Sequence, residues 1–96
     1  MPTFETHPRF ERDVAKLTQE QYTQWKRALK VFIEAVNTRQ FPPHLRVKRV
    51  RSVQGVWEMS WAEDGRATFE YGDERRQGET HVYWRRVGTH DIFRNP

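Results

Sequence analysis

The chain has 96 residues, and its composition excludes several classes of protein. It contains no cysteine, so disulfides are excluded and thiolate zinc sites are not expected. Seventeen lysines and arginines against 13 aspartates and glutamates give a net charge of +4, which favours a polyanionic partner such as nucleic acid but also suits an ordinary basic surface. Because no apolar run approaches the roughly 20 residues that span a bilayer and no signal-peptide pattern is present, we expect a cytoplasmic protein without a membrane partner.

Two amphipathic helices are predicted in the first half of the chain. The first begins at Pro8, because proline suits the first position of a helix, and it follows a short strand over residues 2–6. The second begins after Thr18, where the sequence TQEQ has the capping-box pattern, and ends near Asn37. Apolar residues keep helical spacing in both helices: Phe10, Val14 and Leu17, then Tyr22, Trp25, Leu29, Phe32, Ile33 and Val36. Everything after Pro43 has strand composition without a linker, so we expect one domain over residues 1–96.

A β-hairpin is predicted over residues 55–72, GVWEMSWAEDGRATFEYG. A two-residue loop would mix apolar and polar residues on both faces, whereas a three-residue loop over residues 63–65, with Gly65 as a left-handed bulge, separates them. The apolar face then carries Trp57, Met59, Trp61, Ala67, Phe69 and Tyr71. On the other face Ser60 lies opposite Thr68, and Glu58 lies opposite Glu70. The helices must cover the apolar face, so we expect the polar face to be open, as a groove for a charged ligand or as a solvated surface.

Two further strands are predicted to flank the hairpin. Residues 46–53 have the composition of an edge strand, whose cations either follow a phosphate backbone or protect the exposed edge from pairing. Residues 80–88 form the last strand, with Val82 and Trp84 toward the helices. Three of its residues would then line the open face: His81, Tyr83 and Arg85. The predicted fold is therefore α+β, with two N-terminal helices packed on one face of a small, mainly antiparallel sheet of about four strands.

The order of these elements resembles that of a known family. Two leading helices, a glycine-hydrophobic-tryptophan strand, the DGRATFEY return strand and a last strand ending VGTHDIF are similar to RelE-like and HigB-like members of the RelE/ParE superfamily. These are the toxins of type II toxin–antitoxin modules, and the resemblance covers essentially the whole chain. It implies a protein that cleaves messenger RNA on the ribosome by attack of a ribose 2′-hydroxyl on the adjacent phosphate, without a metal or another cofactor. The implied partners are messenger RNA on the ribosome and a cognate antitoxin.

The implied reaction needs a base, an acid and cations near the phosphate. The resemblance matches Arg66, at the start of the return strand, with a phosphate contact, and His90 with the acid. Glu58 is our candidate base. For His90 there is an alternative role, because a histidine followed by an aspartate, here Asp91, more often forms a surface hydrogen bond than a catalytic element. We expect the substrate to be bound by Lys48, Arg49, Arg51, Ser60 and Arg85.

Ser60 departs from the family pattern, because related toxins often carry lysine or arginine there. The missing cation leaves a second class of function open. A ParE-like poison of DNA gyrase would share the fold without a ribonuclease site, and so would an inactive relative retained for binding.

Overall fold

The two predicted helices are present in the computed structural model, which describes residues 1–96. Helix α1 spans Pro8–Lys16, with His7 as its N-cap. Helix α2 spans Gln19–Ala35 and begins with the predicted capping box, in which Thr18 and Gln21 each accept a hydrogen bond from the other's backbone N–H. Neither helix is long and apolar enough to cross a membrane.

The sheet is mixed and has five strands in the order β1-β5-β4-β3-β2, where about four were predicted. The strands are β1 Thr3–Thr6, β2 Lys48–Arg49, β3 Trp57–Ser60, β4 Gly65–Arg76 and β5 Glu79–Thr89. Strand β1 lies parallel to β5, and the other pairings are antiparallel. The predicted edge strand over residues 46–53 is reduced to two paired residues. Short 3₁₀ helices lie at Pro43–Leu45 and His90–Arg94.

The predicted pairing of β3 with β4 is wrong by two residues. Ser60 lies opposite Arg66, and Glu58 lies opposite Thr68, so the expected pair of facing carboxylates does not form. A shift of two residues keeps every side chain on its own face. The division into an apolar and a polar face is therefore correct although the partners differ.

The connection between β3 and β4, residues 61–64, is longer than predicted, and in it Trp61 contacts Gly65. Gly65 has no positive φ, so it does not form the expected left-handed bulge. A Cβ at this position would lie 2.4 Å from an atom of the Trp61 ring. Glycine is required here because the indole lies directly against the backbone.

The core lies between the helices and the apolar face of the sheet. Phe32 of α2 is fully buried, and its ring centroid lies 5.2, 5.1 and 5.0 Å from those of Phe41, Phe69 and Trp84. Trp57 is half-buried and packs against the same core, as the predicted assignment of faces requires.

The polar face carries Glu58, Ser60, Arg66, Thr68 and Glu70. We predicted that this face is open, and the prediction is wrong. After β5 the chain folds back, and residues 90–96, here called the covering segment, lie against β4 and β5. Ile92 of this segment is buried against Gly88. Thr68, which donates a hydrogen bond to Pro96, is 0% exposed, and its neighbours Ser60 and Arg66 are 9% and 8% exposed.

Replacing Phe32 by alanine tests the core. We expect Phe32→Ala to lower the free energy of unfolding by about 3 to 5 kcal/mol, because a buried ring with three aromatic neighbours leaves a cavity. Urea denaturation followed by tryptophan fluorescence measures the change. Tyr22→Ala on the exposed side of α2 is the control and should change it by less than about 0.5 kcal/mol. Equal losses in the two variants would contradict the assignment of the core.

Candidate functional site

The register of three strands arranges the polar face in rows. Ser60, Arg66 and Gly88 form one row across β3, β4 and β5. Glu58 and Thr68 lie in the next row, two residues further along β4. The ladder between β4 and β5 is interrupted there, because Thr68 pairs with Arg86 whereas the next residue pairs with Trp84. Arg85 is therefore the extra residue of a β-bulge.

Arg66 is bound to the loop between β3 and β4. Its Nη1 donates hydrogen bonds to the carbonyl oxygens of Ala62, Glu63 and Gly65 at 3.2, 3.1 and 2.8 Å. Its own carbonyl oxygen accepts a hydrogen bond of 2.9 Å from the indole N–H of Trp61. These bonds fix the loop. They use one guanidinium nitrogen of Arg66, the residue that the family resemblance matches with a phosphate contact. Nε and Nη2 are not part of them.

His90 lies at the rim of the polar face, where β5 ends. Its Nδ1 is 3.3 Å from Oδ1 of Asp64, so its partner is in the β3–β4 loop and is not the adjacent Asp91. The histidine ring also packs against Phe93, with 5.3 Å between the ring centroids. The side chain remains 61% exposed. The arrangement orients an imidazole that a ligand in solution can reach.

Arg85 links the polar face to the covering segment. Its Nη1 donates to Oε2 of Glu70 at 2.6 Å, and its Nε donates to the carbonyl oxygen of Pro96 at 3.1 Å. Thr68 donates to the same carbonyl oxygen, also at 3.1 Å. Glu70, which was expected to face another carboxylate, is instead paired with a cation.

Arg86 is tied to helix α1 through Asp13. Its Nε and Nη2 donate to the two carboxylate oxygens at 2.7 and 3.2 Å, which is a bidentate ion pair. The carboxylate also accepts a hydrogen bond from the backbone N–H of Val87. The remaining Nη1 of Arg86 donates to the carbonyl oxygen of Asn95 at 2.9 Å. Arg86 therefore connects α1, β5 and the covering segment.

The structure brings some of the predicted site residues together and separates others. Ser60 and Arg66 are direct neighbours on adjacent strands. The row that they form lies between Glu58 and His90. The backbone positions of Glu58 and Thr89, which precedes His90, are about 14 Å apart, because they differ by three residues along the strands and by two strands across the sheet. Long side chains shorten this gap only in part.

The predicted cations of the edge strand lie away from the centre of the polar face. Lys48 is opposite Glu58 in the ladder, and Arg51 is exposed beyond the strand. Arg49 stacks on Trp57, with 5.3 Å between its guanidinium carbon and the ring centroid, and so lies toward the apolar side of the sheet. The three cations form an exposed basic edge and do not converge on one point.

A second arginine stacks on an aromatic ring at this end of the sheet. The guanidinium carbon of Arg39 lies 3.9 Å from the ring centroid of Tyr71, which in turn packs edge-on against Trp57. Burial raises the pKa of the Tyr71 phenol above its ordinary value of 10.0, while the charge of Arg39 acts in the opposite direction. The phenol is thus neutral near pH 7, and the stack adds no negative charge to the basic edge.

Sequence reasoning missed three features of the site: the Asp64 partner of His90, the hydroxyl of Thr68 and the covering segment. The first depends on Gly65 lying opposite Thr89, a pairing of distant residues. A threonine in a strand is common and gives no separate signal. The covering segment contacts β4 and β5 far from it in the chain, and nothing local indicates which strands it meets.

Solved structures with the same architecture are known. YafQ from E. coli strain BL21(DE3) has 18% sequence identity and a TM-score of 0.71, over 97% of this chain and 98% of that one. A chain of the RelB–RelE antitoxin–toxin complex from Methanococcus jannaschii has 13% identity and a TM-score of 0.59, over 94% of each chain. The YoeB/ParE toxin from Agrobacterium tumefaciens has 10% identity and a TM-score of 0.69, over 92% of this chain and 98% of that one. No protein-family model and no curated protein matches the sequence significantly.

The fold class is therefore α+β, with two helices on one face of a five-stranded mixed sheet and a covered polar face on the other. This is the fold of the RelE/ParE toxins, as the resemblance in the sequence implied. At these identities the likeness is one of fold, and a shared fold does not determine the chemistry of a site.

The ion pair of Asp13 with Arg86 gives a testable consequence. We expect Asp13→Ala to destabilise the protein by about 3 to 5 kcal/mol, because it leaves a poorly exposed arginine and the N–H of Val87 without their acceptor. The two side chains are only 10% and 18% exposed. Chemical denaturation measures the loss, with Glu11→Ala on the exposed side of α1 as the control. Adding Arg86→Met to Asp13→Ala removes the unpaired charge and should restore part of the stability. If the double variant is no more stable than Asp13→Ala, an uncompensated buried charge is not the cause of the loss.

Proposed function

We propose that residues 1–96 form one toxin domain of a type II toxin–antitoxin module, and that it acts as a ribosome-dependent endonuclease on messenger RNA. The observation that carries the proposal is the accessible His90, oriented by Asp64 at the rim of a polar face that contains Arg66 and Arg85. The shared fold supports it, and relatives of that fold have been solved as complexes of YafQ with DinJ and of RelE with RelB. An antitoxin is therefore the proposed protein partner.

The proposed reaction is attack of the ribose 2′-oxygen on the neighbouring phosphorus. A base removes the 2′-proton, a bond from the 2′-oxygen to phosphorus forms, and the bond from phosphorus to the 5′-oxygen breaks. The products are a cyclic phosphate and a 5′-hydroxyl, whose proton comes from an acid. We assign the acid to His90, because an imidazole exchanges protons near neutral pH and this one is exposed at the rim.

The phosphate is proposed to lie over the row that contains Ser60 and Arg66, between Glu58 on one side and His90 on the other. Glu58 is then the base, and Nε and Nη2 of Arg66 face the charge that develops on the phosphate. The backbones of Glu58 and Thr89, the residue before the acid, are about 14 Å apart, so the side chains of Glu58 and His90 must both extend toward this row. Arg85 and the exposed Lys48, Arg49 and Arg51 are proposed contacts for flanking phosphates.

A different function is favoured by one observation. Ser60 supplies no cation, and Nη1 of Arg66 is already bound to three loop carbonyls. Such a face suits a protein that binds without cutting, either a ParE-like poison of DNA gyrase or an inactive relative that binds RNA or an antitoxin. The two classes differ in whether ribosome-bound message is cut.

Single-turnover cleavage of messenger RNA on purified programmed ribosomes tests the proposed acid and base. We expect His90→Gln and Glu58→Gln each to slow cleavage by roughly 10² to 10⁴, the usual contribution of a positioned acid or base. Binding to the ribosome should change little, since it depends on many phosphate contacts. The matched controls are His44→Gln and Glu63→Gln, which alter exposed side chains of the same types elsewhere. If the His90 and Glu58 variants cut messenger RNA as fast as their controls, neither residue is the acid or the base of the reaction.

Expression in a bacterial host tests the biological role. We expect induction of the chain alone to arrest growth, and His90→Gln to restore growth at an equal level of folded protein. Co-expression of an antitoxin encoded beside the gene should also restore growth, because an acidic partner would cover the basic surface. Arrest by the wild type without cleavage of ribosome-bound message would favour the gyrase poison, and normal growth with folded protein would contradict both toxin proposals.

A further inference from the structure

We infer that Thr68 and Arg85 form a phosphate-binding site, and that Asn95 and Pro96 occupy this site until RNA displaces them. The inference rests on the proposed function, because it takes the polar face as the surface on which RNA lies. It adds a residue, Thr68, that the proposed reaction does not use. It also gives the end of the covering segment a role as a competitor of the substrate.

The contacts of Pro96 are those that an oxygen of a phosphate would make. One carbonyl oxygen accepts hydrogen bonds from two strands at once, from the hydroxyl of Thr68 and from Nε of Arg85, both at 3.1 Å. Arg85 is held for this contact by Glu70, which binds its Nη1 at 2.6 Å. A hydroxyl and a fixed guanidinium that converge on one oxygen are typical of phosphate recognition.

The charge around this oxygen favours an anion. The crevice at this point is lined by His7, Arg9, Arg85, Arg86 and Pro96, and none of these side chains is acidic. Arg85 and Arg86 already have carboxylate partners in Glu70 and Asp13. Arg9 has no such partner and therefore adds positive charge to the crevice.

The crevice is closed while Asn95 and Pro96 are in place. Its remaining volume is about 20 Å³. That is room for about one water molecule and not for a phosphate group. A second carbonyl oxygen, that of Asn95, is bound to Nη1 of Arg86 at 2.9 Å, so two successive residues must leave together. RNA and these two residues cannot occupy the site at the same time.

The position of the crevice suits a phosphate beside the one that is cut. Thr68 is two residues along β4 from Arg66, which is about 7 Å. The scissile phosphate is proposed to lie over the Arg66 row. Displacement of Asn95 and Pro96 by RNA would thus be coupled to correct placement of the RNA at the site of cleavage.

The experiment measures the binding of RNA without ribosomes and without cleavage. The probe is a fluorescent single-stranded 2′-O-methyl RNA, which lacks the attacking hydroxyl, and the reading is fluorescence anisotropy at fixed salt. A stop codon after Arg94 removes Asn95 and Pro96, and we expect it to tighten binding of the RNA probe about tenfold. This is the gain expected if the two residues leave the site free about a tenth of the time in the wild type. In the shortened protein, Thr68→Val should remove most of this gain, whereas the control Thr80→Val in β5 should retain it.

A second variant guards against misfolding of the shortened chain. In this variant two glycines are inserted between Arg94 and Asn95. Every residue is kept, but the backbone oxygens of Pro96 and Asn95 are moved away from Arg85 and Arg86. Circular dichroism checks the fold. A methylphosphonate version of the probe, which lacks the charge, should show no gain with either variant. The inference is overturned if folded protein of both kinds binds no more tightly than the wild type, if Thr68→Val retains the gain, or if the uncharged probe shows it.

This result is separable from the fate of the nuclease proposal. A gain in RNA affinity that depends on Thr68 supports the phosphate site even if ribosome-bound message is not cut. Cleavage by the wild type with no gain in affinity leaves the nuclease proposal intact and removes the phosphate site.

Discussion

The bulge at Arg85 is the constraint on which both faces of the sheet depend. In a regular strand Trp84 and Val87, three residues apart, would point to opposite faces, yet both are buried here. The extra residue resets the alternation, so that two apolar side chains enter the core and two consecutive arginines remain between them. One arginine then joins the polar face and the other joins α1 through Asp13. Core packing and the placement of charge thus have a common origin in the backbone of β5.

Local rules explain why much of the fold could be predicted from the sequence. The capping box at Thr18 and the proline at the start of α1 involve residues close together in the chain, and both helices begin where these signals predict. Alternation in β3 and β4 identified the residues of each face, because a strand has a period of two. The same periodicity cannot distinguish registers that differ by two residues. The observed register brings the Trp61 ring against Gly65, a contact that no pattern reveals.

The candidate site was harder to predict because its contacts join distant segments. Arg66, His90 and Arg85 were identified by residue type and by resemblance, but their partners were not. Arg66 binds loop carbonyls, which every residue possesses, and so no particular side chain in the sequence indicates the contact. His90 has an aspartate beside it in sequence, yet it is oriented by Asp64 from the preceding hairpin. Neighbours in sequence are a poor guide where a strand gives way to a 3₁₀ helix.

The parallel pairing of β1 with β5 also sets the order in which the chain can fold. Thr3 lies opposite His81, and the hydroxyl of Thr3 is 2.7 Å from Nδ1 of that buried histidine. Strand β1 therefore has no partner in the sheet until β5, 78 residues further along the chain, has been made. Contacts of such long sequence separation are formed slowly, since the loop that they close must first lose its freedom. The sheet therefore stays unfinished, and the polar face lacks Arg85 and Gly88, until β5 is available to pair with both of its neighbours.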